Sequence, residues 1–220
     1  MTLPDCPKSV LLVDDDPEMH VGMRIILPAA YALTCAASGE EGIEINRNGH
    51  YPVVILDLNM RGLDGVETLR VLRESDEFQK VIILTGFDSK NSAISCVNLG
   101  AFRYLVKPFR VVELVKVVEL AFDRYAREVA AFSQFIDSPE RLAGLGLRER
   151  ESEVVFWAAL GESNLEIADR LGISPRTVEK HLERAFNVLG VGSRAKLGGC
   201  LRKLIGRASP PGRLHGGDGT

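Results

Sequence analysis

Four short apolar segments in the first half of the chain each lead into a residue that could take part in chemistry: Asp14 with Asp15, then Asp57, Thr85 and Lys107. Three carboxylates at one site repel each other unless a cation neutralises them, and oxygen ligands without Cys or His indicate a hard ion such as Mg²⁺. With that ion bound, Asp57 could attack a phosphoryl group, Lys107 could pair with its charge, and the Thr85 hydroxyl could donate to a phosphoryl oxygen. These residue types therefore predict a phosphorylatable carboxylate.

Such residues meet only if the apolar segments are parallel strands of one sheet. The sequence predicts strands at 9–13, 32–36, 52–56, 81–84 and 103–106, alternating with helices near 18–27, 39–48, 65–75, 90–99 and from 110 onward. This alternation indicates an α/β fold with a doubly wound (βα)5 parallel sheet, where ligands sit beyond the carboxyl ends of the strands. All the candidate residues fall at such ends.

Four motifs in this part of the chain resemble those of a CheY-like response-regulator receiver. The motifs are Val13-Asp14-Asp15, Leu56-Asp57-Leu58-Asn59-Met60, Leu84-Thr85-Gly86 and Val106-Lys107-Pro108-Phe109, and the resemblance covers roughly residues 8–122. It implies that Asp57 receives a phosphoryl group from a sensor histidine kinase. It also implies that Asp14 and Asp15 bind Mg²⁺ together with Asp57 and the backbone carbonyl of Asn59.

The same resemblance implies three further features. Thr85 and Tyr104 would act as a switch pair, although an aromatic residue in a strand more often belongs to the core. The peptide bond between Lys107 and Pro108 would be cis. Arg61 stands where a proline usually follows the Met of the loop, and the loss of a fixed φ is expected to loosen the loop and change the lifetime of the phosphoryl group.

An aspartate-nucleophile phosphatase of the haloacid-dehalogenase type is an alternative, because Asp14-x-Asp16 is similar to the opening motif of that class. There the nucleophile follows the first strand and the metal-binding acidic pair comes late. Here the acidic cluster comes first and the lone Asp57 comes later, and we identify no insertion that would cap a substrate. Motif order therefore favours a receiver.

Composition sets broader limits. The 220 residues allow one or two domains, each large enough for its own core. No targeting segment and no apolar run long enough to cross a membrane are evident, so we expect a cytoplasmic protein without a membrane partner. The four cysteines are scattered, which favours reduced thiols over a zinc site or disulfides.

A second, helical domain is predicted after residue 139, with helices at 148–160, 164–171, 174–189 and 193–205. Ser174-Pro175 is a strong start signal, because Ser caps free N–H groups and Pro is tolerated at the first helical position. Gly172 permits the tight turn before it. A helix, a short turn and a capped helix predict a helix-turn-helix.

The third of these helices has two different faces. Residues at helical spacing face the core, namely Val178, Leu182, Ala185 and Leu189, and they leave a basic stripe of Arg176, Lys180 and Arg184. From 174 to 207 eight Lys or Arg residues outnumber two Glu, a net charge of +6 in a chain of net charge −3. This segment is where a polyanion would bind.

A run of motifs across the helical domain resembles the LuxR-type domain of NarL/FixJ response regulators. The motifs are Arg150-Glu-Ser-Glu153, 163–168, 171–181 and Leu189-Gly-Val-Gly-Ser-Arg194. The resemblance implies binding to a double-stranded DNA operator through Arg176, Thr177, Glu179, Lys180, Glu183, Arg184 and Arg194. The alternative is a helical interaction domain with an ordinary solvated face. Because Glu179 and Glu183 would repel phosphates, we expect binding to depend on a homodimer.

We predict a receiver at 1–122, a helical linker at 123–140, a helix-turn-helix domain at 141–206 and a disordered tail at 207–220. In the linker region an apolar seam repeats every three or four residues: Val111, Val115, Val118, Phe122, Tyr125, Val129, Phe132 and Ile136. From Tyr125 onward the seam predicts either a parallel coiled coil with a second chain or cover by the DNA-binding domain.

Together these features predict a response regulator rather than an enzyme, with catalysis limited to its own phosphorylation and dephosphorylation. Phosphorylation of Asp57 would free or dimerise the DNA-binding domain and so change transcription. Phosphate-independent control and a phosphate sink or adaptor in a relay are the alternatives. Sequence-specific DNA binding would separate a transcription factor from the sink.

Overall fold

A computed structural model of the chain describes residues 8–86 and 90–208. Its first part is one parallel sheet of five strands in the order β2-β1-β3-β4-β5. The strands are β1 Ser9–Val13, β2 Ala32–Ala36, β3 Val53–Leu56, β4 Lys80–Thr85 and β5 Arg103–Val106. The predicted (βα)5 sheet is therefore confirmed.

Both faces of the sheet are buried, because alternate side chains of each strand enter different cores. Val10 and Leu12 of β1 pack with Met23 of α1 and with α5. Leu11 and Val13 pack on the other face with apolar residues of α3 and α4. The helices around the sheet are α1 Pro17–Ile26, α2 Gly39–Asn48, α3 Gly65–Arg73, α4 Lys90–Asn98 and α5 Val111–Ile136. Continuous apolar strands are what two covered faces require.

The second part is helical. It comprises α6 Glu140–Ala143, α7 Glu149–Ala159, α8 Asn164–Leu171, α9 Pro175–Leu189, a 3-10 turn Arg194–Lys196 and α10 Leu197–Ala208. The four predicted helices are present, and α6 and the 3-10 turn were not predicted. Residues 207 and 208 belong to α10, so the predicted tail begins too early there, and its remainder lies outside the described residues.

The turn between α8 and α9 forms as its residues predict. Gly172 ends α8 in the left-handed conformation at φ +65°, which glycine adopts without steric cost. The Ser174 hydroxyl accepts a hydrogen bond from the Thr177 N–H at 3.1 Å, and Pro175 opens α9. The predicted helix-turn-helix is therefore present, with α8 and α9 joined by a capped turn.

The apolar seam of α5 is covered within one chain. Tyr125, Phe132 and Ile136 are buried in the core of the helical domain, together with residues such as Val154 and Leu201. The sequence left two interpretations of this seam open. In this structure the helical domain covers the seam, so the coiled-coil interpretation does not describe this arrangement. Across the described residues, α5 and the other helices are too short or too polar to cross a membrane.

Candidate functional site

Strand register brings the chemical residues of the sheet together. Val13 of β1 is paired with Leu56 of β3, so Asp14 and Asp57 leave adjacent strands side by side. The Lys107 ammonium reaches both carboxylates, with Nζ 2.7 Å from Asp14 Oδ2 and 2.7 Å from Asp57 Oδ2. Both aspartates are buried, at 1% and 7% exposure. Two buried carboxylates thus share one cation.

Charge in this pocket stabilises the ionised forms. Burial opposes ionisation of Asp57, but the Asn59 N–H and the Lys107 ammonium outweigh it, so the pKa of Asp57 lies below its ordinary value. Burial likewise opposes the charge of Lys107, yet its two aspartate partners raise the pKa of the ammonium. At neutral pH Asp57 is an anion, as a nucleophile toward phosphorus must be.

Thr85 and Tyr104 lie beside this pocket. Thr85 ends β4, is fully buried, and helps to lower the pKa of Asp57 through a side-chain hydrogen bond. Tyr104 lies on β5 next to Ile83 of β4 and packs, half-buried, against the core that contains Leu56. The cis peptide between Lys107 and Pro108 is confirmed.

The carboxylate oxygens of the pocket are of the kind that binds Mg²⁺, but the three carboxylates do not converge on one point. Asp14 and Asp57 face each other across the Lys107 ammonium, which bridges the two carboxylates. Asp15 is turned to the β3–α3 loop, where its Oδ2 accepts from the Arg61 N–H at 3.2 Å. Within residues 8–86 and 90–208 no three His, Cys, Asp or Glu side chains converge closely enough to hold a metal.

In the helical domain, the exposed face of α9 carries the predicted DNA-contacting residues. Val178, Leu182 and Ala185 are buried, as predicted from their spacing, and Leu189 is half-buried. The exposed residues are Arg176, Glu179, Lys180, Glu183 and Arg184. The Thr177 hydroxyl is 2.8 Å from the Ser174 hydroxyl, so it belongs to the cap of the helix.

Arg194 does not lie on this exposed stripe. Its Nε donates to the Ala158 carbonyl at 3.2 Å and its Nη1 donates to Asn164 Oδ1 at 3.3 Å. Burial lowers the pKa of the guanidinium, and the nearby Asp76 of the receiver partly opposes that effect. The expected phosphate contact of Arg194 is therefore not available in this arrangement, where the side chain joins α7 to α8.

The two domains are docked through a polar contact that the sequence did not predict. His50, in the α2–β3 loop of the receiver, places Nδ1 3.3 Å from Glu166 Oε1 on α8 and Nε2 2.6 Å from the Tyr125 hydroxyl on α5. Burial would raise the pKa of Glu166, but bonds from His50 and Ser163 lower it to about 2. One imidazole thus joins the receiver, the linker helix and the DNA-binding domain.

A second part of this contact lies around the α3–β4 loop. The Ala195 N–H donates to the Glu74 carbonyl at 3.2 Å, and Arg202 Nη1 lies 3.4 Å from Glu77 Oε2. His50, Glu77 and Arg202 carry no motif, since each is a single charged or polar residue among many in the sequence. Only the docked structure identifies them.

A cleft of about 660 Å³ lies between the domains. Receiver residues on one wall, among them Arg47 and Asp76, face Arg176 and Glu179 at the start of α9. Lys180, Glu183 and Arg184 do not line it. The receiver therefore faces the first turns of α9 across the cleft. Leu182 and Phe186 of the later turns also line the cleft, while Lys180, Glu183 and Arg184 are exposed outside it.

Known families match both parts of the chain. Residues 10–119 match the response regulator receiver domain, and residues 146–198 match the bacterial regulatory proteins of the luxR family. Both ranges fall inside the predicted domains at 1–122 and 141–206. Such a pair of matches, in this order, excludes the phosphatase alternative for the first domain.

Relatives and solved structures agree with these matches. The nitrate/nitrite response regulator protein NarP of Escherichia coli K12 is 33% identical over 86% of this chain and 91% of NarP. The transcriptional regulatory protein FixJ of Azorhizobium caulinodans is 29% identical over 86% of this chain and 89% of FixJ. The structure of the response regulator StyR has a TM-score of 0.54 and 27% identity, covering 89% of this chain and 98% of StyR. The chain therefore belongs to the NarL/FixJ family of response regulators, which are transcriptional regulators rather than enzymes and whose DNA binding is controlled by phosphorylation.

Proposed function

We propose that Asp57 is the phosphoacceptor, that a sensor histidine kinase is the donor, and that phosphorylation releases the DNA-binding domain from the receiver. The observation that carries this proposal is the Lys107 ammonium, 2.7 Å from both Asp57 and Asp14. An ionised, buried carboxylate beside a fixed cation suits nucleophilic attack on phosphorus better than any other arrangement in the described part of the chain.

The reaction transfers one phosphoryl group. An Asp57 carboxylate oxygen attacks the phosphorus of a phosphohistidine, the P–N bond breaks, and the imidazole leaves with its electron pair and takes up a proton. Lys107 then pairs with the added negative charge while it remains within reach of Asp14. The Thr85 hydroxyl, at the end of the neighbouring strand, is placed to hydrogen-bond a phosphoryl oxygen, and Tyr104 follows its movement.

Asp14, Asp15, Asp57 and the Asn59 backbone carbonyl are the groups that we expect to hold Mg²⁺. The ion, when bound, neutralises the carboxylates and the phosphoryl oxygens. Asp15 must leave its contact with the loop to join the other ligands. Asp14 and Asp57 need only exchange part of their contact with Lys107.

For DNA, we propose that Lys180, Arg184, Glu179 and Glu183 meet base edges, with Arg176 on phosphates. Arg176 and Glu179 line the interdomain cleft, so full engagement of α9 requires the receiver to move away. Two chains are expected to pair on a palindromic operator, through a surface other than the covered seam of α5. Such a regulator acts in the cytoplasm, where the chromosome lies.

Labelling with acetyl phosphate and Mg²⁺ tests the phosphoacceptor. We expect intact-protein mass spectrometry to find one added phosphoryl group in the wild type and in the control Asp123→Asn, an exposed aspartate of α5, but none in Asp57→Asn. Fluorescence anisotropy with an operator selected from random DNA should then give tighter binding for the phosphorylated wild type. Equal labelling of Asp57→Asn would reject the assignment.

A further inference from the structure

The β3–α3 loop presents three alternate backbone N–H groups to three acidic side chains. The Asn59 N–H donates to Asp57 Oδ1 at 3.0 Å, and the Arg61 N–H donates to Asp15 Oδ2 at 3.2 Å. The third bond runs from the Leu63 N–H to Glu40 Oε1 at 3.0 Å. The loop therefore binds carboxylates through its backbone, and two of these contacts, those to Asp57 and Asp15, hold expected Mg²⁺ ligands.

This contact competes with metal binding. Asp15 faces Arg61 and does not join Asp14 and Asp57, which are bridged by Lys107. To join Asp14 and Asp57 around Mg²⁺ the Asp15 carboxylate must turn toward them and away from the loop. That movement strains a hydrogen bond to a charged acceptor, and such bonds are stronger than neutral ones. Each ion that binds therefore breaks or weakens a contact already present.

The contact exists because residue 61 is not proline. Proline has no N–H, and it is the residue that the receiver resemblance leads one to expect after Met60. The φ of Arg61 is outside the left-handed region, which proline cannot adopt. The Arg61 side chain is exposed, whereas its N–H is directed at Asp15.

We propose that the Arg61 N–H is a positioning group that holds Asp15 against the loop and so weakens Mg²⁺ binding. Phosphorylation of this receiver therefore requires a higher Mg²⁺ concentration than phosphorylation of the same receiver with a proline at position 61. The inference rests on the proposed Mg²⁺-dependent phosphorylation of Asp57. It makes the Mg²⁺ affinity of the site depend on residue 61, because the N–H and the ion bind the same carboxylate.

Isothermal titration of metal-free full-length protein with MgCl₂ tests it. Arg61→Pro removes the N–H and the guanidinium, whereas the matched control Arg61→Ala removes only the guanidinium. A hydrogen-bond partner of a metal ligand usually favours binding, and its loss costs roughly 10- to 100-fold in affinity. The Arg61 N–H instead holds Asp15 away from Asp14 and Asp57, so we expect the opposite sign at the lower end of that range: Arg61→Pro should bind Mg²⁺ about tenfold more tightly than Arg61→Ala. An exposed charge alone should change the Kd by no more than about fivefold. Equal Kd values for the two variants, or weaker binding by Arg61→Pro, overturn the proposal.

A second measurement needs no variant. In wild type labelled with ¹⁵N-arginine, the Arg61 amide proton should resonate downfield while bonded to Asp15 and should move upfield as Mg²⁺ saturates the site. An Arg61 amide that does not respond to Mg²⁺ overturns the proposal even if Arg61→Pro fails to fold. Labelling of Asp57 by acetyl phosphate at saturating Mg²⁺ distinguishes failure of this inference from failure of the proposed function. If only this inference fails, labelling persists in the wild type, Arg61→Pro and Arg61→Ala. If the proposed function fails, labelling is absent from all three proteins.

Discussion

The acidic pocket of the receiver and the basic stripe of α9 are both charged, but they are built in opposite ways. In the pocket, Lys107 meets carboxylates 93 and 50 residues away, and the two aspartates are buried. On α9, Lys180 and Arg184 are four residues apart and exposed. The pocket is fixed by the register of three strands, whereas the stripe is fixed by the pitch of one helix.

This difference predicts different responses to substitution. A buried charge cluster is interdependent, because removing one member leaves the others desolvated and unpaired. Exposed charges on a helix act almost independently, and water replaces whatever a substitution removes. Changes in the pocket should therefore alter both stability and function, while changes on the stripe should alter binding and leave stability unchanged.

The largest effect is expected from Lys107→Met. It leaves the buried Asp14 and Asp57 without their shared cation, so the free energy of unfolding should fall by about 3 kcal/mol in EDTA. Saturating Mg²⁺ should restore part of the loss, because the ion binds only the folded site. Urea denaturation followed by circular dichroism measures both. The control Lys116→Met, at an exposed position on α5, should unfold as the wild type does; an equal loss in both variants would show that the pocket is not interdependent.

A smaller effect, confined to binding, is expected from Lys180→Ala. Lys180 is exposed and does not line the interdomain cleft, so its loss should not disturb docking or stability. Discrimination between the selected operator and single-base variants should fall by roughly 1 to 3 kcal/mol at the contacted base pair. Anisotropy at fixed salt measures it, with the exposed Lys203 changed to alanine as the control. Uniform weakening across all sequences would instead place Lys180 on the phosphate backbone.

The pocket and the stripe could both be predicted from sequence, for different physical reasons. Asp14, Asp57 and Lys107 follow apolar segments, and a parallel sheet brings its strand ends together whatever the details of packing. Val178 and Leu182 define the buried face of α9, which fixes where Lys180 points. Periodicity and topology are properties of short segments and of their order, so one sequence is enough to read them.

The docking of the two domains could not be predicted in this way. His50 and Glu166 are 116 residues apart and belong to no shared period or motif. The sequence shows that the seam of α5 is apolar, but apolarity does not specify what covers the seam. In the structure, Tyr125 and Phe132 are covered by the helical domain of the same chain. The LuxR-type resemblance implies a DNA contact for Arg194, whereas its contacts to Ala158 and Asn164 depend on how the 3-10 turn packs. To predict how two preformed surfaces pair, one must know the shapes of both surfaces, and a single sequence does not give them.

The smallest effect is expected from two neighbouring glycines of α10, and it tests whether docking limits DNA binding. A Cβ on Gly198 would collide with the Glu77 carboxylate of the receiver, whereas a Cβ on Gly199 would meet nothing within 4 Å. Alanine suits a helix better than glycine by up to about 1 kcal/mol, so neither substitution should unfold the DNA-binding domain. Glu77 can move away only by disturbing its contact with Arg202, where the two side chains lie 3.4 Å apart.

We therefore expect Gly198→Ala to weaken docking by about 1 kcal/mol, roughly a fivefold shift toward separated domains, and Gly199→Ala to leave docking unchanged. Small-angle scattering should report a larger radius of gyration for unphosphorylated Gly198→Ala, and anisotropy should report tighter operator binding before any phosphorylation. A Gly198→Ala protein that is more open yet binds DNA no better would separate docking from control. The receiver would then face Arg176 and Glu179 across the cleft without limiting access to α9, and regulation would have to act through pairing of two chains.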